Sequence, residues 1–183
     1  MRKELIGALG IVAAAGAAYA EPFEGTKTLT LEAQNGAQVV VGTVQFSGEG
    51  PDFSYRITWD LGQFGDYFLS MRPFKCLDGA DKLWCRVPYP YEIAQRVSGA
   101  DLTDLEYDTL FVWKRSGDYG IDLWNGIYYR LDVIESGLVG RLHEIDLGVL
   151  SAPPDAGDLR PVGPFDIEPG DPSSHAWPVL RIE

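Results

Sequence analysis

Residues 28–46 read TLTLEAQNGAQVVVGTVQF, an Asn-Gly dipeptide set between two runs in which apolar and polar residues alternate. Alternation with period two is the pattern of a strand with one buried face. Asn-Gly is a strong short-range hairpin signal, because both central residues of a type I′ turn need positive φ. With the turn at Asn35-Gly36, Leu29, Leu31 and Ala33 fall on the same face as Val40, Val44 and Phe46, while Thr30, Glu32 and Gln34 point the other way with Thr43 and Gln45. The next segment repeats the pattern. Phe53, Tyr55, Ile57 and Trp59 alternate with Ser54, Arg56, Thr58 and Asp60, which predicts a third strand with one wet face.

Residues 126–145, GIYYRLDVIESGLVGRLHEI, predict a second hairpin. A turn at Ser136-Gly137 sets Leu131 opposite Leu142 and Asp132 opposite Arg141, an opposite-charge pair on the outer face. A slip of one residue would turn the apolar face outward. Further strands are expected at 66–72, 83–87, 106–115 and 177–182, with a turn or two of helix within 92–105, where Ser98 or Asp101 could cap. About eight antiparallel strands joined by short turns must close or stack, because open edges aggregate. The sequence therefore predicts an all-β fold, an antiparallel up-and-down barrel or barrel-like sandwich of about eight strands.

From Ser151 to Pro178 the character changes, and seven of the chain's twelve prolines lie there. Proline removes ladder donors, so this stretch is expected as a proline-rich C-terminal arm, pinned through Leu159, Val162, Phe165 and Ile167 and running into a terminal strand. The domain reading is a signal segment at 1–20, one antiparallel β domain over 21–150, and an arm with terminal strand over 151–183 packed on the same domain.

The first twenty residues carry Arg2 and Lys3, a short apolar run and Ala18-Tyr19-Ala20, the features of a secretory signal cleaved after Ala20. The apolar run is too short and too rich in Ala and Gly to span about 30 Å of hydrocarbon comfortably. No membrane insertion is expected after cleavage, and the expected address is the periplasm or the exterior. In an oxidising compartment the only two cysteines, Cys76 and Cys85, are expected to form a disulfide clamping the base of a turn with Asp78-Gly79 at its tip. A structural zinc site wants four ligands, and the chain adds only His143 and His175 to the two thiols. The Cys-x-x-Cys of a redox pair is absent.

Beyond residue 20, 13 Lys and Arg stand against 26 Asp and Glu, a formal charge of −13. That balance argues against nucleic acid and against anionic membranes as partners, since both need a cationic footprint. Gly-x-Ser-x-Gly, His-Glu-x-x-His, the phosphate-cradling glycine loop and the dinucleotide fingerprint are all absent, so no cofactor and no catalytic residues are assigned. The acidic run DLTDLEYD at 101–108 lacks the central glycine of a calcium loop and reads as a cap followed by a wet strand edge. His143 is expected outside, opposite Arg130, and His175 solvated in the arm.

The remaining signal is aromatic and polar together. The predicted register brings Tyr129 and Glu144 to the inner face, and Arg72 and Trp113 lie in other apolar strands. A cup lined by Arg72, Trp113, Tyr129 and Glu144 would suit a small, partly apolar ligand, with Arg72 as the expected partner of Glu144. The competing expectation is that an inward Arg-Glu pair plugs a filled barrel. Functionally, the sequence predicts an exported ligand-binding protein. The alternative is a module that contacts an exported protein partner through its arm and disulfide loop.

Overall fold

The computed structural model describes residues 22–49, 51–69, 72–79 and 81–183. The signal-peptide reading falls on residues 1–20, outside the described residues. Twelve strands are found among the described residues: β1 (Thr26–Glu32), β2 (Gln38–Ser47), β3 (Asp52–Trp59), β4 (Gly65–Phe68), β5 (Pro73–Asp78), β6 (Lys82–Arg86), β7 (Arg96–Ser98), β8 (Phe111–Arg115), β9 (Gly126–Ile134), β10 (Gly137–Ile145), β11 (Ile167–Pro169) and β12 (Val179–Ile182), with one α-helix, α1 (Thr103–Asp108). They form one antiparallel sheet in the order β4-β5-β6-β8-β9-β10-β12-β1-β2-β3-β7, with β11 added to β10.

The fold is thus all-β and antiparallel, but it is neither an eight-stranded barrel nor an up-and-down one. The last strand, β12, sits between β10 and β1 and joins the two halves of the sheet. The path also has two ends, β4 and β7. After β3 the chain turns through a short 3-10 segment at Leu61–Gln63, where the Asp60 carboxylate accepts the Gly62 N–H at 3.1 Å, and β4 leaves to pair with β5 instead of β3. The sheet nevertheless rolls until its halves share one interior: the ring of Trp59 on β3 lies 5.9 Å from that of Phe111 on β8, and the Arg86 guanidinium of β6 sits 4.6 Å above the same indole. Side chains, not a ladder, close the roll.

The first hairpin turns where expected, by a different route. Ala33 accepts from Gly36 at 2.9 Å, and Gly36 alone takes a left-handed φ of +80°. This is a three-residue loop, not the two-residue type I′ turn. A bulge follows, because the register shifts between Leu29↔Gly42 and Thr30↔Val40. The extra residue reverses parity, so Val40, expected inward, is 49% exposed, while Val41 is buried and Val39 packs against the core.

The second hairpin is displaced by two residues from its expected register. Ile134 pairs with Gly137, so the tip is Glu135-Ser136, Leu142 faces Tyr129, and Arg141 faces Arg130. A shift of two preserves inside and outside, and Leu131, Leu138 and Leu142 are buried as the pattern required. Close approach sets the position: a Cβ on Gly137 would stand 2.0 Å from the Ile182 carbonyl oxygen of β12. Asp132 and Arg141 still meet, diagonally, at 3.9 Å.

Helix α1 begins within the 92–105 stretch expected to hold a turn or two of helix, but it runs on through residues 106–108, expected as the start of a strand, and buries Asp104, Leu105, Glu106 and Tyr107. The core consequently has two layers. One fills the roll, around Leu29, Val44, Trp84, Phe111, Tyr129 and Leu180. The other lies on the outer face of β6, β8 and β9, around Cys85, Tyr107, Leu110, Val112, Tyr128 and Leu147.

Candidate binding site

Cys76 and Cys85 are directly opposed on β5 and β6 and joined as a disulfide, with Cα atoms 3.9 Å apart. The hairpin they clamp ends against the C-terminal segment: Lys82 Nζ donates to the Ser174 carbonyl at 2.8 Å, and Gly79 leaves no room for a Cβ, which would stand 2.8 Å from Ala176 Cβ.

The four residues expected to line a cup do not line one together. Arg72 is exposed. Tyr129 is completely buried, its hydroxyl donating to the Trp177 carbonyl at 2.6 Å, and burial pushes its ionisation far up. Trp113 is partly buried beside its cross-strand partner Trp84. Glu144 has the inward parity of Leu142 but lies at the open rim, with half its side chain exposed. Its partner is His175 and not Arg72. His175 Nε2 donates to Glu144 Oε1 at 2.8 Å, and the imidazole, 1% exposed, packs 5.5 Å from the Trp84 ring and 5.9 Å from the Trp113 ring. Trp113 and Glu144 are therefore brought together through a histidine that sequence reasoning left in solvent. The available signal was its neighbour Trp177 in WPVLRIE: the segment before a central strand must enter the interior with it.

The His175–Glu144 pair is not arranged for nucleophilic catalysis. Among the described residues no hydroxyl reaches His175 Nδ1, which is buried without a partner. The nearby serines are occupied elsewhere, Ser173 Oγ on the Asp171 carboxylate at 2.7 Å and Ser174 Oγ on the Asp171 carbonyl at 2.9 Å. The pair packs one end of the roll, and Lys82 Nζ, 3.9 Å over the Trp113 ring, covers it. Burial lowers the pKa of Lys82, and Arg115 adds to the effect. At this end the roll is packed by indoles, Tyr129 and an imidazole, not by the Arg-Glu pair of the competing expectation.

Several concavities of ligand size lie outside the roll, and two of them adjoin the outer core. The first is a groove of about 310 Å³ on the outer face of β8, lined by Phe74, Val87, Pro88, Pro90, Val112, Ile121, Leu123, Leu147, Leu150 and one polar residue, Ser151. The loop that carries Val87 to Pro90 is held by Tyr91, whose hydroxyl donates to the Leu150 carbonyl at 2.8 Å. The second is a polar cleft of about 570 Å³ between the 99–103 segment, β9 and the arm, with Glu106 and Tyr128 in its wall. Glu106 is buried; it accepts the Leu131 N–H at 2.7 Å and the hydroxyl of Tyr128. Desolvation holds its carboxyl above the usual range despite those two donors.

The segment around Val162 that borders this cleft, within the stretch expected as an arm, is tied down. Arg160 reaches back to α1, with Nε and Nη2 2.9 and 2.7 Å from Asp104 Oδ1 and Nη1 2.6 Å from Asp101, and Val162 N–H donates to the Tyr107 hydroxyl at 2.9 Å. Of its four expected anchors, Val162 and Ile167 pack on the outer core, whereas Leu159 and Phe165 are exposed. No family model, curated protein or solved structure matches the chain.

Proposed function

We propose that this is an exported, soluble, non-enzymatic protein that binds a small, partly apolar ligand in the groove on the outer face of β8, not inside the roll. The observation that carries this reading is the groove itself. Nine of its ten lining residues are apolar, it stays open while the interior beside it is filled, and its volume of about 310 Å³ reaches the lower end of the range for small-molecule pockets. An apolar concavity of this kind, roofed by two prolines that resist collapse, gains most by excluding water around an aliphatic or aromatic group. Export is supported by the disulfide, and no helix among the described residues is long and apolar enough to cross a membrane.

Native mass spectrometry of protein isolated from its own compartment tests the reading. The expected result is a bound small molecule, lost on Leu123→Arg, which places a cation at the groove's mouth where Leu123 is already part exposed. Protein that carries nothing, and whose affinity for a long-chain acyl probe is the same in Leu123→Arg as in the parent, would refute it.

A second reading, an interaction module acting through the arm, is favoured by one feature. Trp124 and Phe165, 75% and 95% exposed, flank a depression whose other walls include Glu144, Asp146, Asp166 and Glu168. Exposed aromatics of this size on a monomer surface are typical of contact sites.

A further inference from the structure

The polar cleft contains an unfinished strand edge. β9 is nine residues long, but β8 pairs with it only at Phe111↔Ile127 and Val112↔Gly126, because the chain preceding Phe111 winds into α1. From Tyr129 onward β9 has β10 on one side and no strand on the other among the described residues. The direction of the bare edge follows from one bond. Leu131 N–H leaves the ladder to donate to Glu106 Oε1, so it points away from β10. Main-chain direction alternates along a strand, so the N–H and C=O of Val133 and the C=O of Leu131 point the same way. Leu131, Asp132 and Val133 line the cleft on this side, and Val162, Gly163 and Pro164 of the arm face them.

We propose that this cleft accepts an extended peptide from another protein as an added strand on β9, antiparallel or parallel, running between β9 and the arm. The occupant follows from the chemistry of the edge. Main-chain donors and acceptors aimed along one strand are satisfied in register only by another main chain, and strand addition is the recurring way an exposed edge is used. Glu106 stands in for the missing partner at Leu131 and leaves Val133, 40% exposed, as the point of attachment. Around the cleft Asp101 is already met by Arg160 and Asp132 by Arg141, so the local charges nearly balance; the chain's overall excess of acids, 27 Asp and Glu against 15 Lys and Arg, is what favours a peptide with basic side chains. The inference concerns a different part of the surface from the apolar groove and does not depend on it.

The test uses Val133→Pro in the full chain. Proline there removes an N–H that makes no ladder bond, and the preceding Asp132 already has the extended backbone that proline demands, so the variant is expected to melt within a few degrees of the parent. A phage-displayed library of random ten-residue peptides is selected on the parent protein and the enriched peptides are synthesised. They are expected to be rich in Lys or Arg, to bind Val133→Pro roughly tenfold or more weakly, and to bind Val133→Ala as the parent does, since the contact is main-chain. N-methylation of alternate backbone amides should abolish binding to the parent, which tests the same bonds without altering the protein. Failure to enrich any sequence, equal affinity for Val133→Pro, or indifference to N-methylation on either set of alternate amides would each overturn strand addition. Peptides that do not compete with an acyl probe bound in the apolar groove separate this site from that one.

Discussion

The leaf β1-β2-β3 and the leaf β6-β8-β9 are both three-stranded and antiparallel, but only the first keeps a wet face. On β2 and β3 the outward residues Val40, Gln45, Ser54, Arg56 and Thr58 are exposed, and every inward neighbour packs into the roll. On β6, β8 and β9 the outward residues Leu83, Cys85, Val112 and Tyr128 are buried again, beneath α1, the loop at 147–150 and the arm. A strand covered on both sides loses its alternation and reads as a continuous apolar run, as KLWCR, FVW and GIYY do. The second leaf therefore depends on its coverings, and both the apolar groove and the polar cleft lie where those coverings meet the sheet.

The contrast is largest for single core residues. Trp84 is fully buried between the roll's interior and His175, so Trp84→Ala is expected to cost about 3–5 kcal/mol. Val40→Ala, on the wet face beside the bulge, should stay within about 0.5 kcal/mol. Urea unfolding of both variants checks the pair, and comparable losses would mean that the first leaf is also covered.

The second expected effect is that of the disulfide, which belongs to the second leaf alone. Closing a loop of this length contributes roughly 2.5–3 kcal/mol by restricting the unfolded chain, so Cys76→Ser/Cys85→Ser should lower the midpoint accordingly. Because the hairpin tip carries Lys82 to Ser174, limited proteolysis of the double variant should also cut first between 170 and 178. Cutting elsewhere would uncouple the hairpin from the arm.

Third comes the clamp between arm and helix. The Asp104 side chain is 2% exposed, and Arg160, itself partly exposed, supplies two of its hydrogen bonds. Arg160→Ala should cost about 1–2 kcal/mol, discounted for the solvent at the guanidinium. It should also open the polar cleft, which amide exchange at Val162 and Leu131 would report. The same substitution should leave exchange on β1 to β3 unchanged.

The two leaves also differ in how much of them was legible. The first hairpin and β3 could be read from alternation, since one wet face writes polarity into every second residue; what failed was the bulge at Val41, which no local composition signals. In the second hairpin parity was legible and register was not, because the choice between Ser136-Gly137 and Glu135-Ser136 is made by β12 approaching Gly137 from a distant part of the sequence. The insertion of β12 beside β1 is likewise a long-range pairing. The second half of helix α1, read as a strand, was masked by a carboxylate-rich sequence that resembles a solvated edge; its acids instead serve the interior, with Glu106 on Leu131 and Tyr128, Asp104 on Arg160, and Asp108 accepting the Tyr55 hydroxyl at 2.8 Å. Of the candidate site, Trp113 and Glu144 were recognised but joined to the wrong partner, since His175 reaches them only through the path of the C-terminal segment.

The smallest expected effect distinguishes the leaves by the sign of their pH dependence. Glu106 and Asp108 are held above their ordinary carboxyl pKa, first by burial, so the native state binds their protons more tightly than the unfolded chain does. These groups lower stability at neutral pH, and the loss is relieved as pH falls through their folded pKa toward the unfolded value near 4. Glu32, at the end of β1, is shifted the opposite way, chiefly by the 2.7 Å hydrogen bond from Arg181 Nε, so its contribution is present at neutral pH and disappears as pH falls through its folded pKa. Against the parent measured at pH 7 and pH 5, Glu106→Gln should compare less favourably at pH 5 than at pH 7, because only the parent is relieved on acidification. Glu32→Gln should show its larger deficit at pH 7, narrowing only once the pH drops below the unfolded value. Urea midpoints across that range decide it. Parallel curves for Glu106→Gln and the parent would mean that its carboxylate is solvated, and that the cleft wall supporting strand addition is looser than the hydrogen bond to Leu131 implies.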